Sequence, residues 1–600
     1  MFPKQLSILV TTFILQIAFV GSSYAQTPSI EWQRCIGGSD GEAAFSIIQT
    51  NDSGYAVIGL GSSNDGDGLG THGLGDYFLV KLNQFGAIEW KSIYGGSEQD
   101  RPAMIFEREE GGFIIVGTTL SIDGDVIFNH GYYDIWIVSI SDIGEIEWQQ
   151  SLGGSSIDIA YSVQQTSDGG FIVVGSSESL GDDVSNHHGP VGFEPDFWVV
   201  KLNTVGEIEW EHSYGGLEAE EATSVIQMSD NGYVVVGYTT SNDGDVSGLH
   251  GMAGYYSDFW VIRIDSIGNL LWQKCLGGTG NEIAFALTKS NTEECLITGI
   301  AHSSDGDVTW EHPGDELWVV QLESTGEIDW EQTYGGENDD RGYGIIKNSD
   351  SDYFIIGTTT SYDEVTNWHG YIDYWLLNID SGGSIISENC YGGSDQEGSS
   401  YYEDFADIKK TMDNGYIFAG YTESNDGDVS GLHDLPETGG DYWVVKLCNP
   451  ENESWYYLDA DSDGFGNSEI ALKSCVTQEA YVTDSTDCND ANPDIHPGTA
   501  EVLNGLDDDC DGQSDEGLSI INNQVIQVSI HPIPATDHII IDYPASTPTT
   551  LNIYTSSGAI IYQNPHWSGE AIDISNFPPA MYYLQLLQLE KVGYGCFVKE

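Results

Sequence analysis

The residues best suited to chemistry in this chain are carboxylates spaced like the ligands of a metal-binding loop. Asp459, Asp461 and Asp463 alternate along the chain, and Gly464 follows them. Carboxylates at alternate positions before a glycine can turn toward one hard cation, and oxygen ligands suit Ca²⁺. An EF-hand would place Glu at the twelfth position of the loop, where this chain has Ile470. We therefore expect Ca²⁺ between residues 459 and 516 without an EF-hand; the alternative is an acidic linker.

A second acidic stretch follows and adds the candidate ligands Asp487, Asn489, Asp507, Asp509 and Asp511. The run from Asp487 to Gly512 resembles the metal-binding motif of MopE-type secreted bacterial proteins, and the resemblance covers about thirty residues in order. It departs at Leu503, where that family usually has Cys. The resemblance therefore leaves Cys510 without its usual partner, and Cys475–Cys488 is the expected disulfide.

A third set of carboxylates recurs in Asp-Gly-Asp phrases, often with a His within the next ten residues. Glycine permits a sharp bend between two carboxylates, which favours Ca²⁺; one His with carboxylates is a poor tetrahedral set for Zn²⁺. Ordinary turn chemistry is the alternative, because Asp and Gly dominate loops. The candidate ligands are Asp65, Asp67, Asp123, Asp125, Asp243, Asp245, Asp305, Asp307, Asp426 and Asp428.

Catalysis is poorly supported by the residues. We find no Ser/His/Asp motif, phosphate-binding loop or HExxH phrase. A glycosidase needs two carboxylates in unlike environments, whereas acids here recur at equivalent repeat positions. The irregular segments 187–195 and 310–313 could contact a ligand, and drift of exposed loops explains them equally well. No catalytic residue and no organic cofactor is predicted.

A repeat of four strands must position the Asp-Gly-Asp phrases. Its last strand carries a Trp every 58 or 62 residues, at Trp32, Trp90, Trp148, Trp210, Trp272 and Trp330. Four-stranded units in tandem predict an all-β fold, a seven-bladed β-propeller over residues 26–449. Ile30–Ile36 reads as a fourth strand with no first three before it, so we expect it to complete the last blade and close the ring. An open β-solenoid is the alternative.

Within each unit we label the strands a to d. For the fourth copy we expect Ala222–Met228, Tyr233–Thr239, Asp258–Ile264 and Asn269–Cys275. The short a–b and c–d turns should share one face, and the longer acidic b–c and d–a loops the other. Strand d repeats the Trp given above, and strand c repeats an aromatic residue at Phe78, Trp136, Trp198, Trp260, Trp318, Trp375 and Trp443. We expect the aromatic residues at both positions to pack between adjacent blades, with a sugar-binding ladder as the alternative.

Charge limits the possible partners. The chain has 18 Lys and Arg against 95 Asp and Glu, a formal net charge of -77. Nucleic acid and anionic membrane surfaces are therefore very unfavourable partners.

Residues 1–25 read as a secretory signal peptide, with Lys4 before an apolar run, and no other segment is apolar enough to span a bilayer. Nine cysteines suit an oxidising compartment, and we expect Cys35, Cys275, Cys295 and Cys390 to be buried small hydrophobes.

The C-terminal residues read as a small β-sandwich. The segments from Ser529 to Ile541, Leu551 to Gly558 and Tyr582 to Leu584 resemble the type A sorting domain of the type IX secretion system of Bacteroidota. The chain departs mildly from that family at Ile533 and at Ala580 and Met581. The resemblance implies passage across the outer membrane by the type IX machinery, followed by release or attachment at the surface.

We therefore expect four parts: a signal peptide (1–25), a propeller (26–449), an Asp-rich metal-binding segment (450–518) and a sorting domain (519–600). The expected function is a secreted or cell-surface binding or adhesion protein that presents an acidic, calcium-loaded propeller face to a glycan or protein. The alternative is a secreted hydrolase or lyase that acts on polysaccharide with a site over the propeller channel.

Overall fold

The structure is a computed structural model that describes residues 27–600 except 69, 109–110, 291–292, 310–313, 350, 363–364, 399–405, 434–438, 478–479, 517–524, 545–548 and 589–590. The signal peptide predicted at 1–25 lies outside the described residues, as does the irregular segment 310–313. Over the described part the fold is all-β, as expected, and its one helical turn is the 3₁₀ turn Pro450–Asn452.

Six repeat sheets are each built from four consecutive antiparallel strands in the order a-b-c-d, after the first strand β1 (Ile30–Ile36). Repeat sheet 1 contains β2 (Ala43–Gln49), β3 (Tyr55–Gly61), β4 (Asp76–Leu82) and β5 (Ile88–Tyr94); sheet 2 contains β6 (Asp100–Glu107), β7 (Phe113–Thr119), β8 (Asp134–Ile140) and β9 (Ile146–Leu152); sheet 3 contains β10 (Asp158–Gln165), β11 (Phe171–Ser177), β12 (Asp196–Leu202) and β13 (Ile208–Tyr214). Sheet 4 contains β14 (Glu220–Gln227), β15 (Tyr233–Thr239), β16 (Asp258–Ile264) and β17 (Leu270–Leu276); sheet 5 contains β18 (Glu282–Lys289), β19 (Cys295–Ala301), β20 (Glu316–Leu322) and β21 (Ile328–Tyr334); sheet 6 contains β22 (Asp340–Lys347), β23 (Asp352–Thr359), β24 (Asp373–Asp380) and β25 (Ile385–Tyr391).

Repeat sheet 7 combines both ends of this region. It contains β26 (Asp407–Lys410), β27 (Tyr416–Thr422) and β28 (Asp441–Leu447), and β1 pairs antiparallel with β28 as its fourth strand. Cys35 lies opposite Trp443 in this register. The first and last strands of the repeats therefore belong to one sheet.

Strand a differs in detail from the expectation. In sheet 4 it begins at Glu220, two residues earlier than predicted, and a bulge interrupts its pairing between Ala222 and Ser224. The bulge presses the backbone oxygen of Glu221 against Gly237 of strand b, where a Cβ would overlap it. The glycine in the middle of strand b is therefore a consequence of the bulge.

The strand c aromatic residues pack between neighbouring sheets, as expected. Trp136 is fully buried and its ring centroid lies 4.9 Å from that of Tyr77 in the preceding sheet. Trp260 lies 4.5 Å from Phe197 in the same way. Because these rings are fully buried, the alternative of a sugar-binding ladder on strand c is wrong.

A pair of buried acids occupies each junction between repeat sheets and explains the Gly-Gly phrase. Asp76 begins strand c of sheet 1, Asp100 begins strand a of sheet 2, and both are fully buried. A Cβ on Gly95 would overlap Oδ1 of Asp76 and lie 2.6 Å from Oδ2 of Asp100. The first glycine thus leaves room for two converging carboxyl groups. Six further pairs share this placement: Asp134 with Asp158, Asp196 with Glu220, Asp258 with Glu282, Glu316 with Asp340, Asp373 with Glu397, and Asp441 with Glu42.

The cysteines correct one expectation and confirm another. The expected Cys475–Cys488 disulfide is wrong: Cys448 pairs with Cys475, and Cys488 pairs with Cys510. The prediction failed because Leu503, in place of the usual Cys, suggested that Cys510 had no partner. Cys510 instead bonds to Cys488 of the same acidic segment. The thiols of Cys35, Cys275, Cys295 and Cys390 are free and buried, as predicted, and burial raises the thiol pKa of each.

The remaining strands form three smaller sheets. One consists of β29 (Ser454–Leu458), β30 (Asn467–Ser474) and β31 (Tyr481–Val482) in the order β30-β29-β31. The C-terminal region has two sheets around one buried cluster, which includes Ile539, Leu551 and Trp567. The first contains β32 (Ser529–His531), β33 (His538–Asp542) and β36 (Ile572–Asp573); the second contains β34 (Thr549–Thr555), β35 (Ile560–Trp567), β37 (Ala580–Gln588) and β38 (Lys591–Lys599).

The chain forms two compact units. Among the described residues, one unit comprises those up to 456 together with 472–477, and the other comprises those of 457–471 and from 480 onward. Over the described ranges, no helix has the length and apolar character needed to cross a membrane.

Candidate metal centre

The first Asp-rich loop turns its own carboxylates inward. Asp459 accepts backbone hydrogen bonds at both oxygens, from Asp463 (3.1 Å) and Gly464 (3.0 Å). Ser462 and Gly464 have positive φ values of 66° and 96°. The left-handed turn at these two positions bends the chain tightly enough for the alternate carboxylates to face one point.

A second loop repeats this geometry with the same spacing. Asp507 accepts from the backbone N–H groups of Asp511 (3.1 Å) and Gly512 (2.9 Å). Cys510 and Gly512 have φ values of 59° and 93°, close to those of the equivalent residues in the first loop. The Asp-x-Asp-x-Asp-Gly sequence therefore folds twice into one local structure, and we call these segments loop 1 (459–464) and loop 2 (507–512).

Carboxylates from outside each loop complete the two clusters. In four acidic groups, one ligand atom per residue lies within 4.8 Å of the others: Asp459 with Asp461 and Asp490; Asp461 with Asp463 and Asp487; Asp507 with Asp509 and Asp511; and Glu501 with Asp509 and Glu516. Several oxygens of these residues are buried and have no hydrogen-bond partner among the described residues, namely both of Asp461, Oδ2 of Asp463, Oδ2 of Asp487 and Oε2 of Glu516. A buried carboxylate oxygen without a donor is costly unless a cation or proton meets it.

Electrostatic repulsion among the carboxylates also favours a bound cation at both loops. Loss of hydration and repulsion from Asp463 and Asp487 raise the pKa of Asp461. Loss of hydration and repulsion from Asp511 raise the pKa of Asp509. Each loop thus concentrates negative charge around its central Asp, and a divalent cation would offset that repulsion.

The donor set fits a hard cation. The groups that converge in both loops are carboxylate oxygens. The sulfurs of Cys488 and Cys510, which lie close to Asp487, are joined in a disulfide and offer no thiolate. His496 stacks on Phe465 with ring centroids 5.0 Å apart. Oxygen-only ligands suit Ca²⁺, Mg²⁺ or Mn²⁺ better than copper or zinc.

The Cys488–Cys510 disulfide ties the two clusters together. Cys488 follows Asp487, which belongs to the cluster of loop 1, while Cys510 lies inside loop 2. Restricting both loops before any ion binds lowers the entropy cost of assembling the ligands.

Sequence reasoning missed three members of these clusters, Asp490, Glu501 and Glu516. Glu501 is central to loop 2 because its Oε1 accepts from the backbone of Asp508 (2.8 Å) and Asp509 (3.1 Å). The available signal was the second Asp-x-Asp-x-Asp-Gly phrase, since an acid beside a recognised loop is a candidate ligand. Asn489 donates its backbone N–H to Asp487 Oδ1 (2.7 Å), and its amide as a ligand stays a prediction.

The Asp-Gly-Asp residues of the b–c loops lie outside these clusters. The first Asp of each phrase accepts a backbone N–H from the neighbouring d–a connection, as Asp65 does from Ser39 (2.8 Å) and Asp123 from Ser97 (2.7 Å). Asp243, Asp305 and Asp426 repeat this contact. Calcium at these loops stays a prediction.

The second Asp of each phrase faces a histidine or a backbone amide. His188 Nε2 lies 3.6 Å from Asp245 Oδ2, and His250 Nε2 lies 3.7 Å from Asp307 Oδ2. Asp67 and Asp428 have the same kind of neighbour, and Asp125 accepts from Gly95 N (3.3 Å).

Solved structures give only distant similarity. The Neurospora crassa Pan2 WD40 domain is 11% identical and covers 57% of this chain and 88% of its own, with a TM-score of 0.32. PorZ of Porphyromonas gingivalis, a surface component of the type-IX secretion system, is 11% identical with a TM-score of 0.27; the match covers 90% of this chain and 65% of PorZ. The pyranose dehydrogenase PQQ domain of Coprinopsis cinerea is 8% identical with a TM-score of 0.31, over 70% of this chain and 98% of that domain. At these TM-scores the similarities support no argument about function. A search of curated proteins found no match.

Family models match two segments. Residues 487–516 match the family Cu-binding_MopE, described as "Putative metal-binding motif". Residues 529–594 match Por_Secre_tail, described as "Secretion system C-terminal sorting domain". A protein with such a sorting domain is exported and is either released or held at the outer-membrane surface. The chain therefore carries a MopE-type metal-binding motif at 487–516 and a type IX secretion sorting domain at 529–594, after a series of propeller-like repeat sheets.

Proposed function

We propose that this is an exported, non-enzymatic binding protein whose acidic segment holds Ca²⁺ at loops 1 and 2. One observation carries the calcium assignment: two Asp-x-Asp-x-Asp-Gly loops share the same backbone turn and each gathers carboxylates. Among the described residues, four buried, unpartnered carboxylate oxygens belong to the cluster of loop 1 and one belongs to that of loop 2. The sorting domain supports export through the type IX machinery. Millimolar Ca²⁺ outside the cell would suit exposed loops of this kind.

We propose further that repeat sheets 1 to 7 are the blades of a closed β-propeller within residues 26–449. The pairing of β1 with β28 supports closure. At each junction the buried acid at or before the start of strand a donates its backbone N–H to the backbone oxygen of the last residue of the preceding b–c loop. Glu42 does this to Gly440 (2.7 Å) between sheets 7 and 1, as Asp100 does to Gly75 (2.8 Å) between sheets 1 and 2. The remaining parts are then the signal peptide at 1–25, the metal segment at 450–518 and the sorting domain at 519–600.

Calcium content tests the first proposal. The purified full chain, saturated with Ca²⁺ and then desalted, should retain about one ion fewer after Asp461→Asn and about one fewer after Asp509→Asn, because each central Asp offers charge to one cluster. The control is Asp494→Asn, which removes an exposed carboxylate of the same segment outside both clusters. Metal content would be measured by mass spectrometry. Equal content in all four proteins would overturn the assignment to loops 1 and 2.

The same measurement addresses the b–c loops. If the Asp-Gly-Asp phrases also bind Ca²⁺, Asp65→Asn lowers the ion content below that of the wild type, while an unchanged content limits calcium to the acidic segment.

Incubation of the wild-type chain with a panel of polysaccharides tests the non-enzymatic assignment. Release of reducing ends would replace that assignment with the hydrolase or lyase alternative.

A further inference from the structure

The described residues of the b–c loops form a connected surface, which we call the b–c face (62–68, 70–75, 120–133, 178–195, 240–257, 302–309, 314–315, 360–362, 365–372, 423–433 and 439–440). Histidines link consecutive loops across the sheet junctions. His130 Nε2 lies 3.5 Å from Asp183 in the next loop, and His188 links loop 178–195 to Asp245 in the same way. His369 reaches Asp428, and His433 reaches Asp67. Neighbouring loop tips can therefore contact one partner together.

Exposed aromatic side chains are concentrated on this face. Phe193 is 77% exposed, Tyr255 is 75% exposed and Tyr371 is 69% exposed. The other exposed aromatic residues described on these loops are Phe128, Tyr132, Tyr256, Tyr362 and Trp368. The a–b and c–d turns at the other ends of the strands contain one aromatic residue, Phe85. Large exposed rings on one side of a molecule mark an interaction surface.

The b–c face is also acidic. No b–c loop contains Lys or Arg, and each contains at least two Asp or Glu residues. Lys91 and Arg341 lie on strands that adjoin the loops, and each forms an ion pair with a loop acid. Lys91 pairs with Asp67 (3.6 Å) and Arg341 pairs with Asp315 (3.2 Å). The buried cations at the ends of strand c lie at the opposite turns, where Lys81 pairs with Asp52 (2.9 Å) and Arg263 pairs with Asp230 (2.5 Å).

This combination selects one class of partner. An aromatic face attracts a cation, and a carboxylate forms charge-assisted hydrogen bonds with ammonium and guanidinium groups. Arginine does both, because its planar group stacks on rings while it pairs with acids. A neutral glycan would contact the rings but would form no ion pairs with the carboxylates. An acidic glycan would be repelled by them.

We propose that the b–c face binds a protein surface or peptide rich in Arg and Lys, through exposed aromatic rings set among carboxylates. This inference deepens the proposed binding function and rests on it. It does not depend on calcium at loops 1 and 2.

A charge-neutral variant separates this site from the general attraction of a chain with a net charge of -77. Phe193→Ser combined with Tyr255→Ser removes two highly exposed rings from consecutive loops that His188 links to each other. The probe is a fluorescent peptide of alternating Arg and Gly, and fluorescence anisotropy measures its affinity for the full chain in excess Ca²⁺. We expect the affinity to fall about tenfold, since each exposed cation–π contact is worth a few-fold. The control, Phe85→Ser with Val205→Ser, removes exposed side chains from c–d turns and should bind like the wild type.

Equal affinity of both variants and the wild type would overturn the proposal, because the attraction would then come from net charge alone. Binding of a neutral glucan that is lost in Phe193→Ser/Tyr255→Ser, without any peptide effect, would also overturn it in favour of a glycan surface. Repeating the titration with Asp461→Asn keeps the two proposals apart, since loss of calcium from loop 1 should leave peptide affinity unchanged.

Discussion

At the scale of single residues, the first glycine of each Gly-Gly phrase matters because of what faces it. Gly95 lies where Oδ1 of Asp76 and Oδ2 of Asp100 converge, so no side chain fits. Asp100 is well supplied with donors, since it accepts from Gly96 N (2.7 Å) and Ser121 Oγ (2.8 Å). Oδ1 of Asp76 is buried and has no donor among the described residues. The two groups therefore sit in unlike environments.

Gly95→Ala tests this packing. We expect a loss of about 1–3 kcal/mol in unfolding free energy, because the added methyl group must displace two carboxyl groups in a fully buried junction. Urea denaturation followed by tryptophan fluorescence gives the midpoint. Gly41→Ala is the matched control in another d–a connection, where the nearest atom lies 3.6 Å from the new Cβ. A Gly95→Ala midpoint equal to that of Gly41→Ala would contradict the account.

At the scale of elements, β1 is the strand whose role depends most on distant sequence. It pairs with β28, more than 400 residues away, and buries Ile36 in a cluster shared by sheets 7 and 1. Without β1, the edge of β28 would be open to pairing with another chain.

We therefore expect a chain lacking residues 27–36 to self-associate and to melt at a lower temperature than the full protein. Light scattering after gel filtration measures the association. Adding a synthetic peptide of residues 27–40 should restore the monomer, because it supplies the missing strand. A peptide of the same composition in scrambled order is the control, and equal rescue by both would refute the pairing.

At the scale of the whole molecule, acids buried at the sheet junctions make stability depend on pH. Burial, with repulsion from Asp100, raises the pKa of Asp76 to about 6, although the backbone N–H and nearby ring of His72 oppose this shift. Burial likewise raises the pKa of Asp134 and of Asp340 to about 6 and that of Glu220 to about 7. Because these values exceed the unfolded value of about 4, the folded chain binds more protons in this interval.

Stability should consequently fall as pH rises from about 4.5 to 8. Burial lowers the pKa of His250, but the hydrogen bond to Asp258 and the charge of that carboxylate outweigh burial and leave the pKa raised. A raised histidine pKa also makes stability fall as pH rises. At lower pH, Asp52 opposes the trend: hydrogen bonds from Thr50 and Lys81, against a desolvation cost, lower its pKa to about 2, so its contribution is lost on acidification. We expect a higher melting temperature at pH 5 than at pH 8, by calorimetry in a chelator so that calcium does not contribute.

Asp76→Asn is the matched variant for this pH dependence. An amide is uncharged at every pH and does not repel Asp100, so the variant should gain stability at pH 8 and show a smaller change between the two pH values. A steeper pH dependence in Asp76→Asn than in the wild type would rule out the junction pair as a cause.

The sequence by itself determined the four-stranded repeat, most strand bounds and the position of loop 1, because turn glycines, period-two alternation and Asp spacing are local properties. It also placed the buried cysteines and the strand c tryptophans correctly. Only the tertiary structure decided which distant groups meet. Cys448 finds Cys475, Glu501 closes the cluster of loop 2, and Asp441 converges with Glu42 across the two ends of the repeats. Such meetings depend on how separate segments of the chain pack against one another, and no local pattern encodes which of those segments come into contact.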